Sequence, residues 1–160
     1  MQKRFLAGFP TLAAWLKQTR DQGIVNRFAS TVTGRMRRFP ELLSRLDSSQ
    51  RSRVERQIVN HTVQGTAADI MKIAMVEVSK LIRQWPRDCG RLVLLSSIHD
   101  ELLLEADEAH VKKAVASVHQ AMTSQVVAIL NNDFGGWKHV RLAATAQVGR
   151  SWGSMAEYSA

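Results

Sequence analysis

Cysteine is almost absent from this sequence, which contains one, Cys89, among 160 residues. A single cysteine forms no internal disulfide, so the sequence excludes a disulfide scaffold and favours a reducing compartment. Hydrophobic runs are short, and none approaches the roughly 20 apolar residues that a membrane-spanning helix needs. Residues 1–5 lack the apolar core of a secretory signal, although their basic character leaves an organellar address open. We therefore expect an intracellular protein with no membrane partner, in the nucleus or an organelle if it is eukaryotic and in the cytoplasm if it is bacterial.

Acidic residues are scarce in the first third of the chain. Residues 1–56 contain 12 basic and 4 acidic residues, whereas residues 57–160 contain 10 of each. The whole net charge of +8 therefore lies in the first third, where ten of the twelve cations are arginine. Arginine binds phosphate oxygens in pairs through its planar guanidinium, so the pattern is typical of a face that binds nucleic acid. A solvated surface or a contact with an acidic protein explains the charge equally well at this point.

Hydrophobic spacing predicts the order of secondary-structure elements. Apolar residues three and four positions apart predict a long helix over about residues 52–83, interrupted near Gly65. Asp47 and Gln50 have the spacing of a capping box just before it. The other predicted elements are short: helices over residues 10–23 and 40–46, an irregular or hairpin segment over 24–38, strands over 91–98 and 101–106, a helix over 107–129, a loop over 131–136 and a strand over 138–148.

This order of elements predicts an α+β fold in which long helices pack on a small antiparallel sheet. The two middle strands contain continuous runs of leucine and valine, as strands buried on both faces do. No repeat, low-complexity tract or linker rich in Pro, Gly or Ser divides the chain, so we expect a single domain over residues 1–160.

The turn between the two middle strands breaks local rules. A two-residue hairpin turn prefers Asn-Gly or Gly-X because its backbone often needs a positive φ, but this turn has His99 and Asp100. Asp100 and Glu101 also place two like charges side by side. Broken rules at an exposed tip suggest a functional compromise, and adjacent carboxylates suit a divalent cation. A solvated polar turn without a ligand is the more frequent structure for such a hairpin.

Two further patterns lie on the long predicted helix. Arg56, Asn60 and Gln64 recur every four residues, so they form one polar stripe that could contact acceptors in a duplex minor groove without reading sequence. An ordinary exposed helix face is at least as frequent. The run of small residues over 64–69 permits close approach of another backbone or a ligand, or plain helix packing.

Four segments in this order resemble one known family. They are TGRMRRFP at residues 33–40, ERQIVN with VQGTAADI at 55–70, HDEL at 99–102 and VGRSWG at 148–153. Together they resemble the C-terminal part of the polymerase domain of family A DNA polymerases, bacterial polymerase I-like or eukaryotic theta- or nu-like. The resemblance implies a palm with part of the fingers. It also implies template-directed addition of dNTPs to a primer 3′ end in DNA replication or repair, using two Mg²⁺ ions.

The resemblance also implies roles for individual residues. Asp100 corresponds to a catalytic, metal-binding aspartate, Glu101 to its acidic neighbour in the same catalytic and metal site, and His99 to a residue near the primer end. The implied DNA contacts in the first half of the chain are Arg35, Arg37, Arg56, Asn60 and Gln64.

Two parts of the family pattern occur nowhere in this sequence: the first catalytic motif, an Asp-Tyr-Ser-Gln-like run, and the dNTP-binding helix. We therefore expect a partial domain, whether a fragment, a truncated product or half of a split protein, that supplies the two-metal site only in part and is inactive alone. Its expected partners are primer–template DNA, dNTP and the N-terminal remainder of the polymerase.

Two alternatives stay open. One is a non-catalytic module that binds primer–template DNA or regulates a polymerase, and the other is a basic interaction domain that keeps the motifs only as structure. The intact acidic tip and polar stripe favour the polymerase portion over the latter.

Overall fold

The computed structural model describes residues 2–158, and the chain divides into two units, Met1–Asp69 and Ile70–Ala160. The first unit contains α1 (Gln2–Ala7), α2 (Pro10–Asn26), β1 (Phe28–Ser30), β2 (Met36–Arg38), a 3₁₀ turn (Pro40–Leu43) and the start of α3 (Ser48–Arg83). The second unit contains the end of α3, a 3₁₀ turn (Arg87–Cys89), β3 (Leu92–Ile98), β4 (Glu101–Ala106), a 3₁₀ turn (Glu108–His110), α4 (Val111–Met122), α5 (Ser124–Phe134), β5 (Gln147–Val148), a 3₁₀ turn (Trp152–Ser154) and β6 (Ala156–Glu157).

The predicted mixture of helices and small antiparallel sheets is confirmed. The described strands form three separate antiparallel pairs, β1 with β2, β3 with β4 and β5 with β6. No helix within residues 2–158 combines the length and the apolar character needed to span a bilayer.

The core of the first unit lies between α3 and the chain before it. Phe39, Val54 and Ile58 are almost completely buried there together with Ala29. Val54 and Ile58 are four residues apart, so they share one face of α3. The predicted capping box is present at the start of this helix. The Gln50 amide donates to Oδ1 of Asp47 at 2.8 Å, and the Asp47 amide donates to Oε1 of Gln50 at 3.1 Å.

Two glycines that were predicted to end or interrupt helices do neither. Gly23 lies buried inside α2, which continues to Asn26. The side chain of Ile58 packs where a Cβ at residue 23 would stand. Gly65 lies within α3, which is continuous from Ser48 to Arg83. Each glycine permits a close contact with a residue more than 30 positions away along the chain, and that contact outweighs the low helix propensity of glycine.

The core of the second unit joins α3 to α5. Ala74 of α3 packs with Val126 and Leu130 of α5, which are fully buried. The single helix predicted over residues 107–129 is wrong, because Thr123 separates α4 from α5 with backbone angles of −115° and −86°. Its hydroxyl donates to the carbonyl of His119 at 2.6 Å.

The β3–β4 hairpin confirms the two predicted middle strands. Its register runs from Leu92 opposite Ala106 to Ile98 opposite Glu101, with an irregularity between Leu94 and Ser96. The expected burial on both faces is wrong, since Leu95 is 53% exposed and the leucines of β4 are half-buried.

The strand predicted over residues 138–148 is also wrong for most of its length. Only Gln147–Val148 is extended in a sheet, paired with Ala156–Glu157. The preceding residues are irregular, and within them Trp137 and Leu142 pack against the α3–α5 core. From residue 141 to 148 the even-numbered residues are half-buried and the odd-numbered ones exposed, so the alternating pattern reflects one-sided burial without strand pairing over most of the segment.

Candidate functional site

The tip of the β3–β4 hairpin has the strain that its sequence predicts. His99 and Asp100 form the two-residue turn between Ile98 and Glu101, and His99 has a φ of 54°. This left-handed conformation costs an ordinary residue about 1–2 kcal/mol relative to glycine. A histidine therefore occupies a position that glycine would fill without strain.

Asp100 and Glu101 are exposed at this tip. Among the side chains of residues 5–158, neither carboxylate has a hydrogen-bond or ion-pair partner, so both are free to contact a ligand. Carboxylate oxygens are the donors that Mg²⁺ prefers. Within the same residues, however, no three His, Cys, Asp or Glu side chains cluster as a metal site. The tip therefore fits part of a magnesium site and needs further donors to complete it.

The polar stripe lies in the first unit, on the exposed face of α3. Arg56, Asn60 and Gln64 are exposed there, whereas Val54 and Ile58 face the core. Because α3 is uninterrupted, the three side chains follow one another over about 12 Å of helix. Contact of this stripe with a minor groove stays a prediction.

The loop of the β1–β2 hairpin is bound to α3 by an aspartate that the sequence did not single out. Nε of Arg35 donates to Oδ1 of Asp69 at 2.7 Å, and the hydroxyl of Thr33 donates to Oδ2 of Asp69 at 2.6 Å. Nη2 of Arg35 also donates to the carbonyl of Gly65 at 3.0 Å. We call Thr33, Arg35 and Asp69 with these contacts the Asp69 clamp. Arg35, a predicted DNA contact, thus has an intramolecular role, although its side chain stays 43% exposed.

The run of small residues on α3 is the place where the hairpin loop approaches. The amide of Val32 donates to the hydroxyl of Thr66 at 3.1 Å. A Cβ built on Gly65 would lie 2.7 Å from Cγ2 of Thr31. The prediction that this run permits close approach of another backbone is therefore confirmed. The small residues were the one signal in the sequence that pointed toward the clamp.

The clamp keeps Asp69 ionised. Burial alone would raise the pKa of the Asp69 carboxyl, but the hydroxyls of Thr33 and Thr31 and the guanidinium of Arg35 stabilise the anion. Their combined effect holds this pKa below its ordinary value of 3.8. At neutral pH the clamp is therefore an ion pair reinforced by hydrogen bonds.

Arg37 is the second predicted DNA contact on the hairpin. Its guanidinium carbon lies 5.2 Å from the centre of the Phe39 ring, within the range of a cation–π contact. Arg37 also lines an open depression with three polar residues of α3, namely Gln50, Arg53 and Gln57. The hairpin arginine and the helix thus border the same part of the surface of the first unit.

Comparison with known proteins gives one consistent result. A family model described as DNA polymerase family A matches residues 1–154. The thermostable DNA polymerase I of Thermus thermophilus is 39% identical over 120 residues, and DNA polymerase theta of Caenorhabditis elegans is 30% identical over 155 residues. The structure of the POL domain of Pol1 from M. smegmatis, in complex with DNA primer-template and dNTP, matches with a TM-score of 0.66 and 34% sequence identity.

This chain spans a small part of each of these proteins. The alignments cover 75% of this chain but 14% of the Thermus enzyme, and 97% of this chain but 9% of polymerase theta. The structural match covers 76% of this chain and 21% of the other.

Proposed function

The chain belongs to DNA polymerase family A, and we propose that it serves as a part of a DNA-directed DNA polymerase, the part that carries the His99–Glu101 motif. The proposed reaction is template-directed addition of dNTPs to a primer 3′ end in DNA replication or repair. Because the chain spans 14% or less of these curated relatives, its proposed partners are primer–template DNA, dNTP and the remainder of a polymerase. Its proposed localisation is the nucleus or an organelle in a eukaryote and the cytoplasm in a bacterium.

The exposed tip of the β3–β4 hairpin is the observation that carries the catalytic part of this proposal. Its strained turn presents Asp100 and Glu101 to solvent with no partner among the described residues. We assign Asp100 as a metal-binding catalytic carboxylate, Glu101 as its supporting neighbour and His99 as a contact near the primer end. Stabilisation of the attacking and leaving oxygens is the chemistry that paired Mg²⁺ ions supply when bound.

The first unit supplies the proposed DNA contacts. Arg56, Asn60 and Gln64 would contact minor-groove acceptors, which are similar for all correct base pairs, so such contacts can sense pairing without reading sequence. Arg35 and Arg37 on the hairpin would add contacts to the phosphate backbone, Arg35 through the exposed part of its side chain.

The catalytic proposal is tested by primer extension. The 160-residue chain alone should add no nucleotide, since it contains one candidate metal-binding aspartate and lacks the first catalytic motif. A chimera in which this chain replaces the matched segment of the Thermus thermophilus enzyme should extend a primer in Mg²⁺. In that chimera Asp100→Ala should lower kcat by at least about a hundredfold, because metal-assisted charge stabilisation is worth several kcal/mol.

Asp133→Ala is the matched control, because Asp133 is also an exposed aspartate of the second unit. It should leave kcat unchanged, and neither change should alter the DNA dissociation constant by more than about twofold. Equal activity of the two variants would refute the role of Asp100. A folded chimera that binds DNA but never extends a primer would favour the alternative, a non-catalytic module that binds primer–template DNA or regulates a polymerase.

A further inference from the structure

Asp69 has an unusual place in the first unit. Among the side chains of residues 5–158, it is the one charged side chain that is buried, with 7% of its surface exposed. Buried charges are costly unless they are paired and hydrogen-bonded, and Asp69 satisfies both of its oxygens through Arg35 and Thr33. Both partners lie on the hairpin loop, more than 30 positions earlier in the chain. The carboxylate therefore ties two distant segments together.

The link between the hairpin loop and α3 matters for the order of the β1–β2 hairpin, because this hairpin is small. Each strand has three residues, and an isolated two-stranded hairpin of this size is marginal in water. Ala29 and Phe39 hold the base of the hairpin in the core with α3, and its loop is fixed by the clamp, the Val32–Thr66 hydrogen bond and a 3.3 Å contact between Nε2 of His61 and the carbonyl oxygen of Arg35. Without the clamp, we expect the loop end of the hairpin, next to Arg37, to sample several positions relative to the helix.

The location of the Arg37 side chain depends on the position of the hairpin relative to α3. Arg37 lies in β2, two residues beyond Arg35 of the clamp, so the position of the loop bears on the position of its side chain. Arg37 borders the depression whose other side includes Arg53, and Arg53 lies three residues before Arg56 on α3. The arginine of the hairpin and the polar stripe of the helix are therefore neighbours on the surface of the first unit only while the hairpin is docked.

We propose that Asp69 is a positioning residue for DNA binding. Through Thr33 and Arg35 it holds the β1–β2 hairpin against α3, so that Arg37 meets the DNA backbone beside the polar stripe. This inference rests on the proposed function, since it requires the first unit to bind DNA. Asp69 itself touches no DNA, and its effect comes from lowering the cost of ordering the hairpin at binding.

The sign of the effect makes the proposal testable. Asp69→Asn removes a negative charge and makes the chain more positive, so electrostatics alone would tighten its hold on DNA. The positioning role predicts the opposite, an affinity about three- to tenfold weaker because the hairpin must be ordered on binding. Asp21→Asn is the matched control, because Asp21 is an exposed aspartate on α2 and its change adds the same charge. We expect the control to bind as tightly as the unmodified chain or more tightly.

The assay is fluorescence anisotropy of a labelled primer–template duplex with the whole 160-residue chain, over a series of salt concentrations. The unmodified chain should bind more weakly as salt rises, because phosphate contacts release counterions. Asp69→Asn should reduce the slope of log K against log salt by about one, as expected when one phosphate contact is lost. A change that only unfolds part of the protein lowers the fraction able to bind but leaves that slope unchanged.

A double-mutant cycle identifies the residue through which Asp69 acts. Arg37→Ala should weaken binding in the unmodified chain and have little further effect in Asp69→Asn, because the hairpin is already misplaced there. Thr33→Val is a second way to loosen the clamp without changing any charge, and it should weaken binding in the same direction. The Tm of each variant is measured by circular dichroism, and binding is measured well below the lowest Tm, so that only folded protein is compared.

Weaker binding and a reduced slope in Asp69→Asn, with coupling to Arg37, support the proposal. Weaker binding with an unchanged slope, or without that coupling, overturns it. Binding by Asp69→Asn that equals or exceeds binding by Asp21→Asn overturns it and leaves the proposed DNA binding intact. Absence of salt-dependent binding by the unmodified chain overturns both.

Discussion

Substitution of Gly65 by alanine tests whether the hairpin loop is docked on α3 as described. The new Cβ would lie 2.7 Å from Cγ2 of Thr31 and 3.3 Å from Nη2 of Arg35. Thr31 is buried, and its hydroxyl accepts a hydrogen bond from the Arg35 amide at 3.0 Å, so it has little freedom to retreat. The whole loop must therefore move away from the helix.

The magnitude follows from two opposing effects. Glycine inside a helix is about 1 kcal/mol less favourable than alanine, so the change would stabilise an undisturbed helix by that amount. Overpacking costs about 1–3 kcal/mol, and weakening of the Arg35–Gly65 and Val32–Thr66 hydrogen bonds costs about 1 kcal/mol each. We expect a net loss of about 2–4 kcal/mol in the free energy of unfolding, or about 4–16 °C in Tm for a chain of this size.

Thermal melting followed by circular dichroism measures the effect, with two companion variants. Thr31→Ser removes Cγ2 but keeps the hydroxyl, so Gly65→Ala should cost much less in its presence. Ala68→Gly, at an exposed position of the same helix, gives the local propensity difference directly. If Gly65→Ala raises Tm by the amount that Ala68→Gly lowers it, the loop does not pack on the helix at Gly65 and the argument for the clamp fails.

Two other changes test the same unit by its stability. The pKa of Asp69 is below 3.8 in the folded state, so the stabilisation from the ionised clamp is complete above pH 3.8 and is lost as pH falls through the folded-state pKa. The difference in Tm between the unmodified chain and Asp69→Asn should therefore be largest near neutral pH and should shrink in acid. A difference in Tm that stays constant from pH 7 to pH 3 would contradict an ionised clamp. Gly23→Ala should destabilise the protein by about 1–3 kcal/mol, because its Cβ would meet the buried side chain of Ile58, including Cδ1 at 3.0 Å. Urea denaturation should show that most of this loss disappears when Ile58 is also changed to alanine. If Gly23→Ala stabilises the protein, α2 and α3 are further apart than described.

Elements specified by neighbouring residues could be predicted from the sequence. The capping box of Asp47 and Gln50 needs only a spacing of three residues, and the bounds of β4 follow from a short apolar run with a turn before it and Asp107 after it. The glycines were misjudged because the sequence rule treats glycine as a local helix breaker. At Gly23 and Gly65 its missing Cβ instead makes room for Ile58 and Thr31, and such distant contacts leave no periodic signal in one sequence.

The residues of the candidate site also divide into those that the sequence could reveal and those that it could not. The acidic tip and the polar stripe are each contiguous or evenly spaced in sequence, so both could be recognised. Asp69 could not, because its partners lie 34 and 36 positions away on a segment with no matching pattern. An aspartate in a run of small residues looks like a helix surface until the hairpin that covers it is placed.

The two aspartates illustrate how burial and partners separate a structural carboxylate from one available for a ligand. Asp69 is buried, and both of its oxygens accept hydrogen bonds from the hairpin, so little of its carboxylate is accessible to a metal or a nucleotide. Asp100 is exposed, and no side chain of residues 5–158 forms a hydrogen bond or an ion pair with it. It is also held on a turn whose first residue, His99, adopts a φ of 54° that costs about 1–2 kcal/mol. Strain of this kind persists where the surrounding strands enforce it, and it is concentrated at sites that bind or react. Stability alone would favour glycine at position 99 and a partner for Asp100. The structure has neither, which supports the proposal that the tip, and not Asp69, is the metal-binding part of this chain.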